Sequence, residues 1–379
     1  MTRPTVAKVD LDAFAHNYFL ARRLHGGQAL AVVKANAYGH GAVRCAQHLA
    51  GRADGFAVAF LKEAQTLRQA GIDDPILILE GCFDAEELEC ACELGLWTVV
   101  HQESQLVDLE QAAKASERQP INAWLKVNSG MARAGFNPDQ VKDAYRRLRA
   151  CSIAGDIVLM THFACADEPE KEMTALQIAA FDAAVEGIPG DQSLCNSAGV
   201  LSWPNARRDW ARPGILLYGA EPLPDKRHGL KPVMTLTGRV FAERTISAGE
   251  SLGYGATFMA ERETRVGLVA IGYADGYPRT APTGTPVAVD GKVSRIIGRV
   301  SMDMLTVDLT NLAGVGVGSQ VELWGNQIDV NEVAACAGTI SYELLCNVKR
   351  VPILYGATAL EHFPSYDIDS TESKVSIER

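Results

Sequence analysis

Between residues 29 and 218 the chain alternates, unit after unit, between short apolar runs and amphipathic helical patterns. Apolar runs fall at residues 29–33, 55–58, 75–79, 97–100, 121–127, 155–161, 193–195 and 215–218. Helical patterns at 42–49, 61–70, 85–93, 103–115, 138–148 and 170–185 separate nearly all of them. Only a short helix after Asn196 is available in the seventh interval. Runs too short and too apolar to show a wet face are strands buried on both sides, and parallel strands reach that state only when helices cover the sheet. Eight such runs predict a closed (β/α)8 TIM-type barrel, an α/β architecture. An open dinucleotide-binding sheet would need Gly-x-Gly-x-x-Gly after an early strand, and none follows one.

The texture changes at residues 221–232, a passage rich in proline, glycine and charge that reads as a linker. Beyond it, β-type runs at 233–242, 264–272, 285–289, 292–298, 305–308 and 319–324, with one helix near 330–337, predict a C-terminal mostly β domain. The expected division is therefore a barrel over residues 1–232 and a β-rich domain over residues 233–379. An alternating strand at residues 4–11 precedes the barrel, and residues 1–10 are available to pair with the second domain. Asp10 is placed to cap the helix that follows. The tail after Glu361 is polar and is expected to fray.

Composition narrows the partners. A net charge of -10 with dispersed acids disfavours nucleic acid or an anionic membrane surface. No apolar run is long enough for a signal peptide or a membrane span, so the expected location is cytoplasmic. The nine cysteines have neither disulfide-framework nor metal-cage spacing and read as thiols in a reducing compartment; no metal is expected.

The chemistry-bearing residues gather where the strands end, the rim at which barrels bind ligands. Lys34 closes the first strand in Ala31-Val32-Val33-Lys34-Ala35-Asn36-Ala37-Tyr38-Gly39-His40-Gly41. A lysine held there has its amine partly desolvated, as a Schiff-base lysine requires; a lysine snorkelling at a strand end fits the same pattern. Lys126, Asn128 and Arg133 leave the fifth run, His162 the sixth, and Asn196 and Ser197 the seventh; Arg212, Gly214 and Ile215 mark the eighth. Ser197 opens a short helix beside Arg212-Pro213-Gly214-Ile215, whose amides suit a phosphate, although an ordinary cap and turn would look the same.

These segments resemble those of the alanine racemase family, in order and over nearly the whole chain. The matching stretches are the Lys34 undecapeptide, Leu125 to Arg133, Thr161-His162-Phe163-Ala164, Asn196-Ser197, Arg212 to Gly219, Ser251-Leu252-Gly253-Tyr254-Gly255, Ile271 to Arg279, Gly298 to Asp303 and Ile340 to Cys346. The resemblance implies a racemase interconverting L-alanine and D-alanine with pyridoxal 5'-phosphate (PLP) as a Schiff base on Lys34. Tyr38, Ser197, Gly214, Ile215 and Tyr342 would hold the cofactor's phosphate, with His162 and Asn196 nearby. Arg212 would face its pyridine nitrogen. Arg133 would hold the substrate carboxylate, oriented by Lys126, a residue that is carbamylated in many members.

Tyr254, from the second domain of a neighbouring subunit, would be the second base. Met302 would border the substrate, with Tyr273, Asp167, Arg279, Arg299 and Asp303 at the pocket and its entrance. A homodimer with shared active sites and a role in supplying D-alanine for peptidoglycan follow from the same resemblance. The chain departs from the commonest family form at Asn128, Ser129, Ala132 and Ala134, all around Arg133. Three alternatives remain at this level: a broad-specificity racemase, a decarboxylase of the same architecture, and a non-catalytic PLP-binding barrel. The decarboxylase would want a catalytic cysteine in the second domain, whereas Cys336 and Cys346 lie in or near helical runs.

Overall fold

The computed structural model describes residues 3–115, 120–223 and 227–356. Parallel strands Ala31–Val32, Phe56–Val58, Ile76–Ile78, Trp97–Val100, Ile121–Lys126, Ala154–Met160 and Gln192–Ser193 form one curled sheet in chain order. Every residue of the second and third strands is buried, as expected of strands covered on both faces.

The sheet closes through Trp210–Ala211, which pairs in parallel with Gln28–Ala29, just ahead of the first strand. The seam continues upward from that pair. Leu30 N donates to Ala211 O at 2.9 Å and Val32 N to Pro213 O at 3.1 Å, while on the other side Arg212 N donates to Cys195 O at 2.9 Å.

The eighth strand is therefore not residues 215–218, as the apolar run suggested. Ile215–Tyr218 is a 3-10 turn, and all of its residues are buried. Pro213 has no N–H to extend the ladder, and Leu217 N turns back to Gly214 O at 2.9 Å. A short run buried on all sides carries no periodicity, so strand and turn look alike in sequence. The turn still serves the barrel: Tyr218 donates its hydroxyl to Val32 O at 2.8 Å.

The helices fall close to their expected places. Leu11–His25 is capped by Asp10, whose carboxylate accepts from Ala13 N at 2.9 Å, and it ends at Gly26 (φ +86°). Ala42–Leu49, Leu61–Gln69, Ala85–Glu93 and Glu103–Ala115 cover the first strands; the two later ones, Val141–Ala150 and Met173–Val185, begin three residues beyond their expected starts. No helix among the described residues is long and apolar enough to cross a membrane.

The remaining strands build a β structure around Met234–Ile246, which pairs antiparallel with Gln320–Trp324 and Thr264–Val269. Val6–Val9 belongs to this sheet, antiparallel to Met234–Ile246 and parallel to Ile353–Tyr355. One apolar cluster runs continuously from the barrel into this sheet. A second, small cluster of Ile246, Leu252, Ala260, Val266 and Ile297 supports the hairpin Ser251–Leu252/Phe258–Met259. Of the linker residues described, Glu221 and His228 pair at 2.9 Å, and Asn331 Nδ2 donates to Glu221 O at 3.0 Å. The expected frayed tail lies outside the described residues.

Tyr218→Phe removes one buried hydrogen bond from the seam and is expected to cost about 1 kcal/mol. The measurement is a lowered urea midpoint with an unchanged m-value.

Candidate active site

The first strand hands over to a turn of unusual hand. Ala35, Asn36, Ala37 and Tyr38 have φ of 52°, 54°, 53° and 50°, so Tyr38 is carried past Lys34 on a left-handed helical turn rather than an ordinary one. Each such residue costs roughly 1–2 kcal/mol, so the surroundings must hold the turn. Ala37 N bonds to Val33 O at 2.8 Å and Gly41 N to Asn36 O at 2.9 Å; Glu63 accepts from Ala35 N at 2.7 Å. Asn36 Oδ1 caps Ala42 N at 2.9 Å. His40 points its Nδ1 at the carbonyls of Ala37 and Tyr38, at 3.0 and 2.9 Å, and burial pushes its pKa down to about 4. Gly39 is required for space: a Cβ there would lie 2.2 Å from Leu345 O. That approach seats helix Ser341–Cys346 on the turn and leaves the rings of Tyr342 and Tyr38 5.9 Å apart. Tyr38 stacks in turn on Tyr218 at 4.7 Å.

Lys34 and Tyr38 open into a cavity of about 350 Å³ at the C-terminal end of the barrel strands, shared with Lys126, Arg133, His162, Asn196, Ser197, Arg212, Gly214, Ile215 and Tyr342. The barrel residues expected at the site thus converge on one space, except Asp167, which does not line it; its charge, after burial, helps push the Tyr342 phenol up to about 12. At one end Ser197 Oγ accepts from Gly214 N at 2.9 Å and Leu216 N at 3.4 Å. A Cβ on Gly214 would lie 2.6 Å from Tyr38 Oη, so only glycine leaves that hydroxyl its place.

The interior is strongly electropositive. Arg212 is buried, and its partners are neutral oxygens: Ser193 O at 2.9 Å, Ser193 Oγ, and Thr161 O at 2.5 Å. Burial lowers its pKa to about 10. Burial also holds His162 well below the usual imidazole value, assisted by Arg212, Lys126, Arg133 and Lys34, so the ring is neutral. Lys126 falls to about 8, chiefly through burial and then through Arg212, Arg133 and Lys34, while Glu80 alone opposes them.

Glu80, the one carboxylate in the lining, and Cys346 were missed by sequence reasoning. Glu80 carried a usable signal, since it follows an apolar run as Lys34 does. Cys346 carried none beyond its closeness to Tyr342.

Of the second-domain residues expected at the site, Tyr342 alone reaches this cavity; none of Tyr254, Tyr273, Arg279, Arg299, Met302 and Asp303 lines it. Tyr254 is 68% exposed on a turn flanked by Gly253 (φ +76°) and Gly255 (φ +74°), with the Arg299 guanidinium passing beside Gly255. Tyr273 and Met302 are exposed neighbours, joined through Tyr273 N to Ser301 O at 3.1 Å and Ala274 N to Met302 O at 3.0 Å. Asp303 pairs with Arg350 at 2.9 Å, and Arg279 is exposed. Among the described residues no cluster of histidine, cysteine and carboxylate could hold a metal ion.

A closed barrel with a lysine at its first strand end, hydroxyls and amides at one end of the cavity and surplus positive charge between them is the architecture of an enzyme built around an anionic carbonyl cofactor. The comparisons with known proteins make this specific. The family model for the alanine racemase N-terminal domain matches residues 9–222, and that for the C-terminal domain matches residues 233–355. A protein of Azoarcus sp. (strain BH72) called alanine racemase is 64% identical over 353 residues, 93% of this chain and 99% of that one. The structure of biosynthetic alanine racemase from Pseudomonas aeruginosa is similar with a TM-score of 0.90 at 48% identity, covering 94% of this chain and 100% of that one. A structure of alanine racemase from Bartonella henselae with covalently bound pyridoxal phosphate matches with a TM-score of 0.85 at 29% identity, covering 93% and 99%.

The chain belongs to the alanine racemase family. It is a PLP-dependent racemase, and the donors around Gly214 together with the amine of Lys34 fit that cofactor's phosphate and aldehyde.

Because Glu80 is the one charge favouring the ammonium form of Lys126, Glu80→Gln is expected to lower the Lys126 pKa further. Competitive acetylation of Lys126, followed by peptide mass across a pH series, should be half-maximal near 8 in the parent and at lower pH in the variant.

Proposed function

We propose that the protein interconverts L-alanine and D-alanine with two bases on opposite faces of the substrate, Lys34 of one subunit and Tyr254 from its partner in a homodimer. The observation that carries this reading is that Tyr254 does not line its own chain's cavity and stands exposed on a hairpin supported by a separate small apolar cluster, where it is available to the cavity of a second copy. His162 is neutral and sits among cations, and Tyr38 and Tyr342 are needed at the phosphate end.

Bound PLP would acidify the substrate Cα–H by drawing electrons from it, and Lys34 would hold the cofactor covalently as a Schiff base between turnovers. Tyr38, Ser197, Tyr342 and the amides of Gly214 and Ile215 hold the phosphate, with Asn196 bracing the Ser197 turn. Arg212 would set a cation beside the bound cofactor's ring nitrogen and disfavour its protonation, which would restrain side reactions. Arg133 grips the substrate carboxylate and Lys126 orients it.

Tyr254 takes the Cα proton of L-alanine, and Lys34 delivers one to the other face. The reverse direction exchanges these roles. Met302 and Tyr273 bound the methyl pocket, while Asp167, Arg279, Arg299 and Asp303 line the approach. Such a pocket disfavours each added methylene by only ~1–3 kcal/mol, so alanine is preferred rather than exclusive. Supply of D-alanine to peptidoglycan in the cytoplasm is the matching physiological role.

Lys34→Ala is expected to abolish both the visible absorption of the bound cofactor and racemisation; Tyr254→Phe is expected to keep the colour and lose proton abstraction from L-alanine. Mixing the two inactive variants tests the shared site. Re-associated at equal amounts, half of the dimers carry one intact site, so about one quarter of the parent activity should return. No recovery would mean that each chain builds its own site.

A further inference from the structure

We propose that Gln177, outside the cavity, is a positioning residue that holds the Arg133 loop in register for the substrate carboxylate; this rests on the reading in which Arg133 grips that carboxylate. Gln177 lies in helix Met173–Val185 and is fully buried, where an unbonded amide would be costly. Its Oε1 accepts from Ala164 N at 2.9 Å. Its Nε2 donates to His162 O at 3.0 Å and to Ser129 Oγ at 3.4 Å. One side chain therefore ties together the loops leaving the fifth and sixth strands.

The direction of the network follows from its acceptors. Thr161 Oγ1 lies 2.9 Å from Val127 O, a pure acceptor, so the threonine hydroxyl donates there and must accept from Ser129 Oγ at 2.7 Å. With its own proton engaged, Ser129 accepts from Gln177. The relay runs from Gln177 through Ser129 and Thr161 to Val127, and all of its members are buried. It reaches the cavity at two places. The Thr161 carbonyl is the acceptor for Arg212 Nη2, and Ser129 begins the segment that ends in Arg133.

That segment has little else to fix it. Asn128 Oδ1 gathers Ala132 N at 2.9 Å and Gly130 N at 3.3 Å, which shapes the outer turn, but Ser129 alone anchors it inward by side chain. Gly130 (φ +140°) lies against the same glutamine, where a Cβ would stand 3.3 Å from Gln177 Cγ. Serine at 129, one of the departures from the commonest family form, is thus the residue through which Gln177 acts.

The test uses the PLP-loaded enzyme with Gln177→Leu, Ser129→Ala, Ser129→Thr and Arg133→Ala. Propionate, a carboxylate without the amine, serves as the probe of the carboxylate site. Gln177→Leu and Ser129→Ala are expected to raise KM for both alanine enantiomers and Ki for propionate about tenfold, with kcat within about threefold and cofactor absorbance unchanged. Ser129→Thr, which keeps the hydroxyl, should hold both constants near the parent values.

Unchanged KM and Ki in Ser129→Ala, or a loss confined to kcat or to cofactor retention, would overturn the inference. Ser129→Ala alone decides the matter if Gln177→Leu does not fold. If Arg133→Ala itself leaves KM and Ki unaltered, the carboxylate reading fails. If it raises them while the Gln177 and Ser129 variants do not, only the positioning role falls.

Discussion

The left-handed turn from Ala35 to Tyr38 is the constraint around which the site is arranged. It opposes folding by roughly 1–2 kcal/mol at each of four residues, against a total stability of roughly 5–15 kcal/mol in a typical domain. It persists because Glu63, His40 and Asn36 satisfy its polar groups, and because Gly39 lets the Leu345 backbone press against it. The result is geometric. A right-handed turn would send the Tyr38 ring elsewhere; the left-handed one stacks it on Tyr218 and aims its hydroxyl at Gly214. The position of the lysine and the shape of the Gly214 end of the cavity are thus set by one short stretch of backbone.

Charge provides the second constraint. Lys34, Lys126, Arg133 and Arg212 share one cavity with a single carboxylate, and burial weakens the ionised forms of Arg212 and Lys126. Arg212 is kept cationic by carbonyl and hydroxyl oxygens instead of an acid, so its charge is not cancelled locally. An anionic ligand entering this space relieves the repulsion, and binding to the folded chain alone stabilises it by RT ln(1 + c/Kd) at free ligand concentration c. Burial, reinforced by the same field, keeps His162 neutral, which removes it from the set of groups able to hold a spare proton.

Much of the barrel was readable because buried strands and covering helices leave different periods in the sequence. The fourth strand, Trp97–Val100, and the helices Ala42–Leu49, Ala85–Glu93 and Glu103–Ala115 lie where those periods put them. The eighth strand was misread, because Ile215 to Tyr218 is apolar on every side whichever way the backbone runs. The hand of the Ala35–Tyr38 turn was invisible, since hydrophobicity says nothing about the sign of φ. Gln177 was invisible for another reason: a glutamine within a helix reads as solvated surface until packing encloses it. The barrel residues of the site could be named from their strand-end positions and the family motif. Tyr254 and Met302 were named from the motif alone, and a single chain leaves both in solvent.

The place of Val6–Val9 between Met234–Ile246 and Ile353–Tyr355 has a consequence for how the polypeptide matures. During synthesis the barrel can collapse once residue 222 or so has left the ribosome, but the segment leading into it must wait as an open edge. Its parallel neighbour is made more than 100 residues later, a delay on the order of ten seconds at about 5–20 residues per second. Through that interval the nascent chain exposes a β-forming segment ahead of the barrel, and Ile353–Tyr355, the last strand among the described residues, completes the sheet that holds it.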